Sequence, residues 1–175
     1  KRMHQNNFGR FVIYISLMML VTHIASPFFA VYMLKELNFS YVTFMIVTIS
    51  AIFSSLIFMP LWGKFSDSYG SLETIKICGF LVPLVPFLWL FVPAILNYSY
   101  IFLILYLIGV QLFSGFVWAG FNLCAGNFVY DAVSRQKMAI CVSYFNIVSG
   151  VGVFLGAALG GFVSSINFSF LGLSS

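Results

Sequence analysis

Four stretches of this chain, residues 11–34, 37–63, 77–130 and 138–175, contain no Asp, Glu, Lys or Arg. A helix needs about 20 predominantly apolar residues to cross a bilayer, so each stretch is long enough for at least one crossing. The remaining composition agrees: 62% of the 175 residues are hydrophobic and 7% charged, with a mean hydropathy of +1.06. A soluble domain is about 25% charged. These numbers point away from a water-soluble fold.

The 77–130 stretch accommodates two crossings if the chain turns near "PAILNYSYI", where Pro93, Asn97 and Ser99 supply breaker and turn chemistry. The expected architecture is therefore an all-α polytopic membrane helix bundle of five transmembrane helices. They are placed at about 11–34, 42–62, 75–96, 100–129 and 138–163, with a flank at 1–10 and the start of an extracytoplasmic loop at 164–175. Short connections make successive helices antiparallel neighbours. In this layout Lys1, Arg2, Arg10, Lys64, Lys76, Arg135 and Lys137 fall on one side and only Lys35 on the other. Basic residues flanking spans stay in the cytoplasm, so the N-terminus of this multi-pass protein is expected to be cytoplasmic. The net charge of +4 then reflects topology, and no nucleic-acid partner is expected.

The N-terminal "KRMHQNNFGR" is read as a helix flank, because the apolar run behind it is span-length and more spans follow. A chain that starts at Lys1 and ends just after an odd span is expected to be a piece of a longer protein. Cys78, Cys124 and Cys141 lie in or near separate spans without the spacing of a zinc site or disulfide framework. They are expected to pack as small hydrophobes. No metal and no cofactor is expected. Asn-x-Ser sequons at Asn38, Asn97 and Asn167 fall on the outer side, close to the membrane, as chance matches.

Polar residues inside a bilayer need a partner or water, so a polar stripe on one helix face points inward. Gln111, Ser114, Trp118 and Asn122 recur at helical spacing on the fourth span and form the first candidate wall of a substrate cavity. Gln and Asn can orient a hydrogen-bonding ligand, and Trp118 offers a flat amphipathic surface. The first span adds Ser16, His23 and Ser26, with Pro27 interrupting its helix. His23 is either a substrate or proton site or a structural histidine bonded to a neighbouring helix. Asn146 and Ser143 in the fifth span, and Ser50 and Ser54 in the second, are weaker candidates for which interhelical hydrogen bonding is the plainer reading. Gly152, Gly156 and Gly160 form a small-residue ridge for close helix packing.

The charged stretch "PLWGKFSDSYGSLETIKI", residues 60–77, sits between the second and third spans. Gly63 is placed to take a left-handed turn at a helix end, Asp67 to accept from free amides at a helix N-terminus, and Gly70 to allow a second turn. Asp131 and Arg135, four apart at the end of the fourth span, are spaced to pair along a helix. These five lie at span ends on the side that the basic residues place in the cytoplasm.

The pattern Gly63, Asp67, Gly70 on the cytoplasmic side between spans two and three resembles the loop signature of the major facilitator superfamily. "ASPFFAVYMLKEL", "LWGKFSDSYG", "QLFSGFVWAGFNL" and "LGAALGG" extend the likeness along most of the chain. They resemble one six-helix half of such a transporter without its last helix. Two departures stand out. Ser71, Leu72, Glu73 and Thr74 follow Gly70 where the family carries basic residues, and Ala157 stands where some family exchangers have a proline. The weakened loop, preceded by a basic stretch like the end of a central linker, resembles the C-terminal half more.

The resemblance implies a secondary transporter, a permease rather than an enzyme, moving a small-molecule substrate across the plasma membrane by alternating access. Its expected partners are the lipid bilayer, the other half of the same polypeptide and a possible coupling ion. It also implies that Gly63, Asp67, Gly70, Asp131 and Arg135 are gating loop residues, with Asp67 capping or salt-bridging the cytoplasmic end of a neighbouring helix. No span carries a charged residue near its middle, which leaves His23 as the titratable candidate for coupling. The alternative is a non-transporting membrane scaffold or assembly factor with the same helices. Catalysis would need convergent acids, histidines or thiols, and His4 and His23 lie far apart with no acid near either.

Overall fold

A computed structural model describes residues 2–96, 99–133 and 135–170, with side chains described between residues 8 and 163 of these. The Asn97 turn, Ser134 and the side chains of His4 and Asn167 lie outside the described residues. Every regular element among the described residues is helical. Five helical stretches are long and apolar enough to cross a membrane: Phe8–Glu36, Tyr41–Tyr69, Ser71–Leu96, Tyr100–Ala132 and Arg135–Val163.

Helix α1 (Arg2–Val31) takes in the basic flank and runs straight into a π-helical turn, Tyr32–Glu36, closed by Leu37 N–H donating to the Tyr32 carbonyl at 3.0 Å. Asn38, with φ 51°, ends the rod. Asn tolerates this left-handed conformation better than most side chains. Helix α2 (Tyr41–Tyr69) starts on a Ser40 cap whose hydroxyl accepts from Thr43 N–H at 3.1 Å.

The third span is not one helix. It comprises α3 (Ser71–Leu81), α4 (Leu84–Trp89) and α5 (Val92–Leu96). Pro83, Pro86 and Pro93 each remove an N–H from the ladder and crowd the carbonyl four residues back. The chain bridges the breaks with tighter bonds, Val85 N–H to the Val82 carbonyl at 3.1 Å and Phe91 N–H to the Leu88 carbonyl at 3.2 Å. Helix α6 (Tyr100–Ala132) is uninterrupted; a 3-10 turn, Arg135–Lys137, leads into α7 (Met138–Phe170). Helix α7 therefore continues well past residue 163, where a loop was expected.

The chain divides into two compact units, residues 39–128 and residues 1–38 with 129–175. In the first, α6 packs on α2 and on the broken third span. Phe39 meets Tyr100 edge-on at 5.6 Å at one end, and Gly63 lies by Leu123 at the other, so α2 and α6 run parallel. Helix α3 approaches α6 at Cys78 and Gly120, and α4 approaches it at Leu88 and Tyr106, which makes the third span antiparallel to α6. In the second unit α1 and α7 pack along most of their length. Buried residues are mostly aliphatic or aromatic, including Val12, Ile15, Leu103, Leu107 and Phe121, while Phe80, Leu90, Ile140 and Phe154 are more than 70% exposed. Such exposed apolar surface suits lipid and would be an aggregation liability in water.

Candidate functional site

In the α1–α7 unit the seam is built from glycines. A Cβ on Gly152 would stand 2.5 Å from the Ser16 carbonyl oxygen, one on Gly160 would stand 2.5 Å from that of Ile24, and one on Gly156 would overlap that of Leu20. The residue number rises by four on both helices together, so α1 and α7 are parallel and hold one register for three turns. Ser16 Oγ donates across the same seam to the Val148 carbonyl at 2.9 Å, and Phe11 stacks on Phe145 at 6.2 Å. Close approach of this kind replaces the hydrophobic driving force that lipid does not supply.

His23 lies on this seam, its Cβ 3.0 Å from where a Gly156 side chain would begin. Its Nδ1 is 2.8 Å from the Met19 carbonyl on its own helix. A carbonyl only accepts, so Nδ1 carries the proton and, in the neutral ring, Nε2 remains an acceptor. Pro27, four residues on, has no N–H to offer the His23 carbonyl. Through Nδ1, His23 thus bonds its own helix, a partner that neither sequence reading named.

Ser26 is exposed on α1. Asn146 is exposed on α7 and, in the register of the seam, falls level with Arg10, about 20 Å along the axis from His23 at 1.5 Å per residue. The structure thus separates Asn146 from His23. Sequence reasoning passed over Ser149, whose Oγ is buried without a hydrogen-bond partner among the described residues.

In the unit of residues 39–128, Gln111, Ser114 and Trp118 are half-buried near the middle of α6, and Asn122 is exposed. Trp118 meets Phe121 edge-on at 5.5 Å. The close contacts of α6 lie on a neighbouring face. A Cβ on Gly115 would overlap the Ala51 carbonyl, and one on Gly120 would stand 2.6 Å from both Cys78 Sγ and the Trp62 indole. Ser54 Oγ donates to the Leu112 carbonyl at 2.6 Å and Trp62 Nε1 to the Phe116 carbonyl at 2.8 Å. Tyr106 donates to the Leu88 carbonyl at 2.8 Å, beside a break in the third span. Ser50 bonds its own helix at Val47. The spacing of Gly115 and Gly120 gave no sign of these partners.

The residues expected in a loop are mostly on helices. Gly63 lies within α2 in helical conformation, 3.9 Å by its would-be Cβ from Leu123, so it turns nothing. Asp67 is exposed in the last turn of α2, the dipole end that disfavours a carboxylate. The whole turn is made at Gly70, whose φ of 91° and ψ of 151° exclude most side chains. Beyond it Lys76 pairs with Glu73 at 2.6 Å on the surface. Asp131 lies in the last turn of α6 while Arg135 belongs to the following 3-10 turn, so the two do not share one helix.

Among the described residues no three His, Cys, Asp or Glu side chains gather as a metal site. A family model, Major Facilitator Superfamily, matches residues 8–173. The chain belongs to the Major Facilitator Superfamily. The match runs through both units and all five membrane-length helices. Members of this superfamily are transporters, and the chain is a multi-pass membrane protein of that kind. Comparison with curated proteins and with solved structures gives no match.

Proposed function

We propose that this superfamily member is a secondary transporter that carries a small molecule across the plasma membrane by alternating access, with its N-terminus in the cytoplasm. The observation that carries the reading is the family match over residues 8–173. The parallel α1–α7 pair supports the orientation, since Arg10, Arg135 and Lys137 lie toward one end of it and Lys35 at the other. In the other unit Lys64 and Lys76 flank the Gly70 turn. The substrate meets Gln111, Ser114, Trp118 and Asn122 on α6. An exposed Asn122 on a membrane helix is costly against lipid and favourable against water or substrate. On the separate α1–α7 pair, Nε2 of His23 accepts a proton or a hydrogen bond, while Ser26 and, about 20 Å along the seam from His23, Asn146 are exposed polar positions of their own. Asp67 acts as a gate contact: stranded at the wrong end of its own helix dipole, it gains when a cation or a helix N-terminus from a second bundle approaches. Asp131 and Arg135, in the other unit, are further gate contacts in this reading.

The test is uptake and efflux of labelled small molecules in vesicles carrying the protein, with and without an imposed ion gradient. Asn122→Ala is expected to weaken apparent affinity for the transported solute, and Asp67→Asn to slow turnover with little change in affinity. If folded protein moves nothing across a broad panel, the scaffold reading replaces transport.

A further inference from the structure

Two of the three cysteines belong to the α3–α6 interface, one at the Gly120 notch and one a helical turn beyond it. Cys78 on α3 and Cys124 on α6 are both fully buried, whereas Cys141 on α7 is partly exposed and belongs to the other unit. Cys78 Sγ fills the notch left by Gly120, 2.6 Å from where a Cβ would begin, and the Trp62 indole closes the same notch. Cys124 is one turn beyond Gly120 on the same face of α6. Side chains on a helix lean toward its N-terminus, so Cys124 leans back over that notch.

We propose that Cys78 and Cys124 form a dithiol site for a soft, thiophilic centre bonded through two sulfurs, the chemical class of trivalent arsenicals. With a monoaryl arsenic oxide, two arsenic–sulfur bonds form and both thiol protons leave with the oxide oxygen as water. Arsenic stays trivalent, so no oxidant or reductant is needed. The groups shown at the notch, Cys78, Gly120 and the Trp62 indole, carry no charge, which suits an uncharged aryl ligand. Occupancy ties the third span to the fourth.

Phenylarsine oxide added to the purified protein in detergent tests this by intact mass. One adduct per chain is expected, stable to a monothiol and removed by a dithiol. Cys78→Ala and Cys124→Ala each abolish it, while Cys141→Ser retains it. A second measurement needs no variant: when the adducted protein is unfolded and treated with a maleimide, one thiol is labelled, whereas three are labelled without arsenical. An adduct that survives Cys124→Ala overturns the proposal. So does labelling of all three thiols after arsenical treatment.

Discussion

Replacing Gly156 by Ala pits two known effects against each other. Alanine is favoured over glycine within a helix by about 1 kcal/mol, which alone would stabilise α7. The new methyl, however, overlaps the Leu20 carbonyl oxygen and stands 3.0 Å from the His23 Cβ. An ordinary carbon–oxygen contact lies at about 3.3–3.6 Å, so the helices must separate by roughly an ångström. Neither contact can swing aside, since one is a carbonyl in a regular helix and the other a Cβ. A gap of that size forfeits a quarter to a half of each dispersion well along the seam, and overpacking costs about 1–3 kcal/mol. The net expectation is destabilisation by about 1–2 kcal/mol, or a factor of 5–30 in the folded-to-unfolded ratio. Gly150→Ala and Gly161→Ala are internal controls, because a Cβ at either position meets nothing within 4 Å. They should be neutral or stabilising by up to about 1 kcal/mol. The readout is the fraction resisting brief proteolysis as sodium dodecyl sulfate is titrated into mixed micelles. If Gly156→Ala and Gly161→Ala move the midpoint alike, the close α1–α7 seam is refuted.

The Gly70→Ala variant keeps the helices but cannot adopt the turn between them without strain of about 1–3 kcal/mol, and its midpoint in the same titration should fall accordingly, with Gly126→Ala as an unstrained comparison. Trp62→Phe removes the donor to the Phe116 carbonyl while keeping an aromatic ring; interhelical bonds in membranes average about 0.6 kcal/mol, so a loss of roughly that size is expected, and more than about 2 kcal/mol would mean the ring's packing was the larger part. Tyr106→Phe strips the donor from the Leu88 carbonyl beside the proline break and should raise proteolytic cutting within residues 82–91 selectively. Unchanged cutting there would show that the break does not depend on Tyr106.

What could be read from the letters follows from where the physics is local. A bilayer excludes charge over its whole depth, so charge-free runs mark spans whatever packs against them; four such runs, the longest divided at the Pro93, Asn97 and Ser99 breakers, made five membrane-length helices visible. The ridge of Gly152, Gly156 and Gly160 was legible because a spacing of four puts all three on one helix face before any partner is known. Gly63, Gly115 and Gly120 were not, since a single glycine gives no face and its meaning comes from the neighbour it touches. Gly63 read as a turn and proved helical; Gly115 and Gly120 carried no signal, yet they bring α6 onto Ala51, Trp62 and Cys78.

The prolines divide along the same line. Pro60 and Pro27 sit inside unbroken helices, whereas Pro83, Pro86 and Pro93 fall close together and break the third span into three. One missing N–H costs a helix a single bond and a bend, but three within eleven residues leave no stretch long enough to restore the ladder. The consequence reaches α6. At this break the Leu88 carbonyl accepts from Phe91 N–H at 3.2 Å, and Tyr106 adds a second donor to it across the interface at 2.8 Å. The third span's irregularity is therefore held from the fourth, through the same interface that buries Cys78 and Cys124. A motion that parts α6 from the third span must break the Tyr106 bond and open the dithiol notch together.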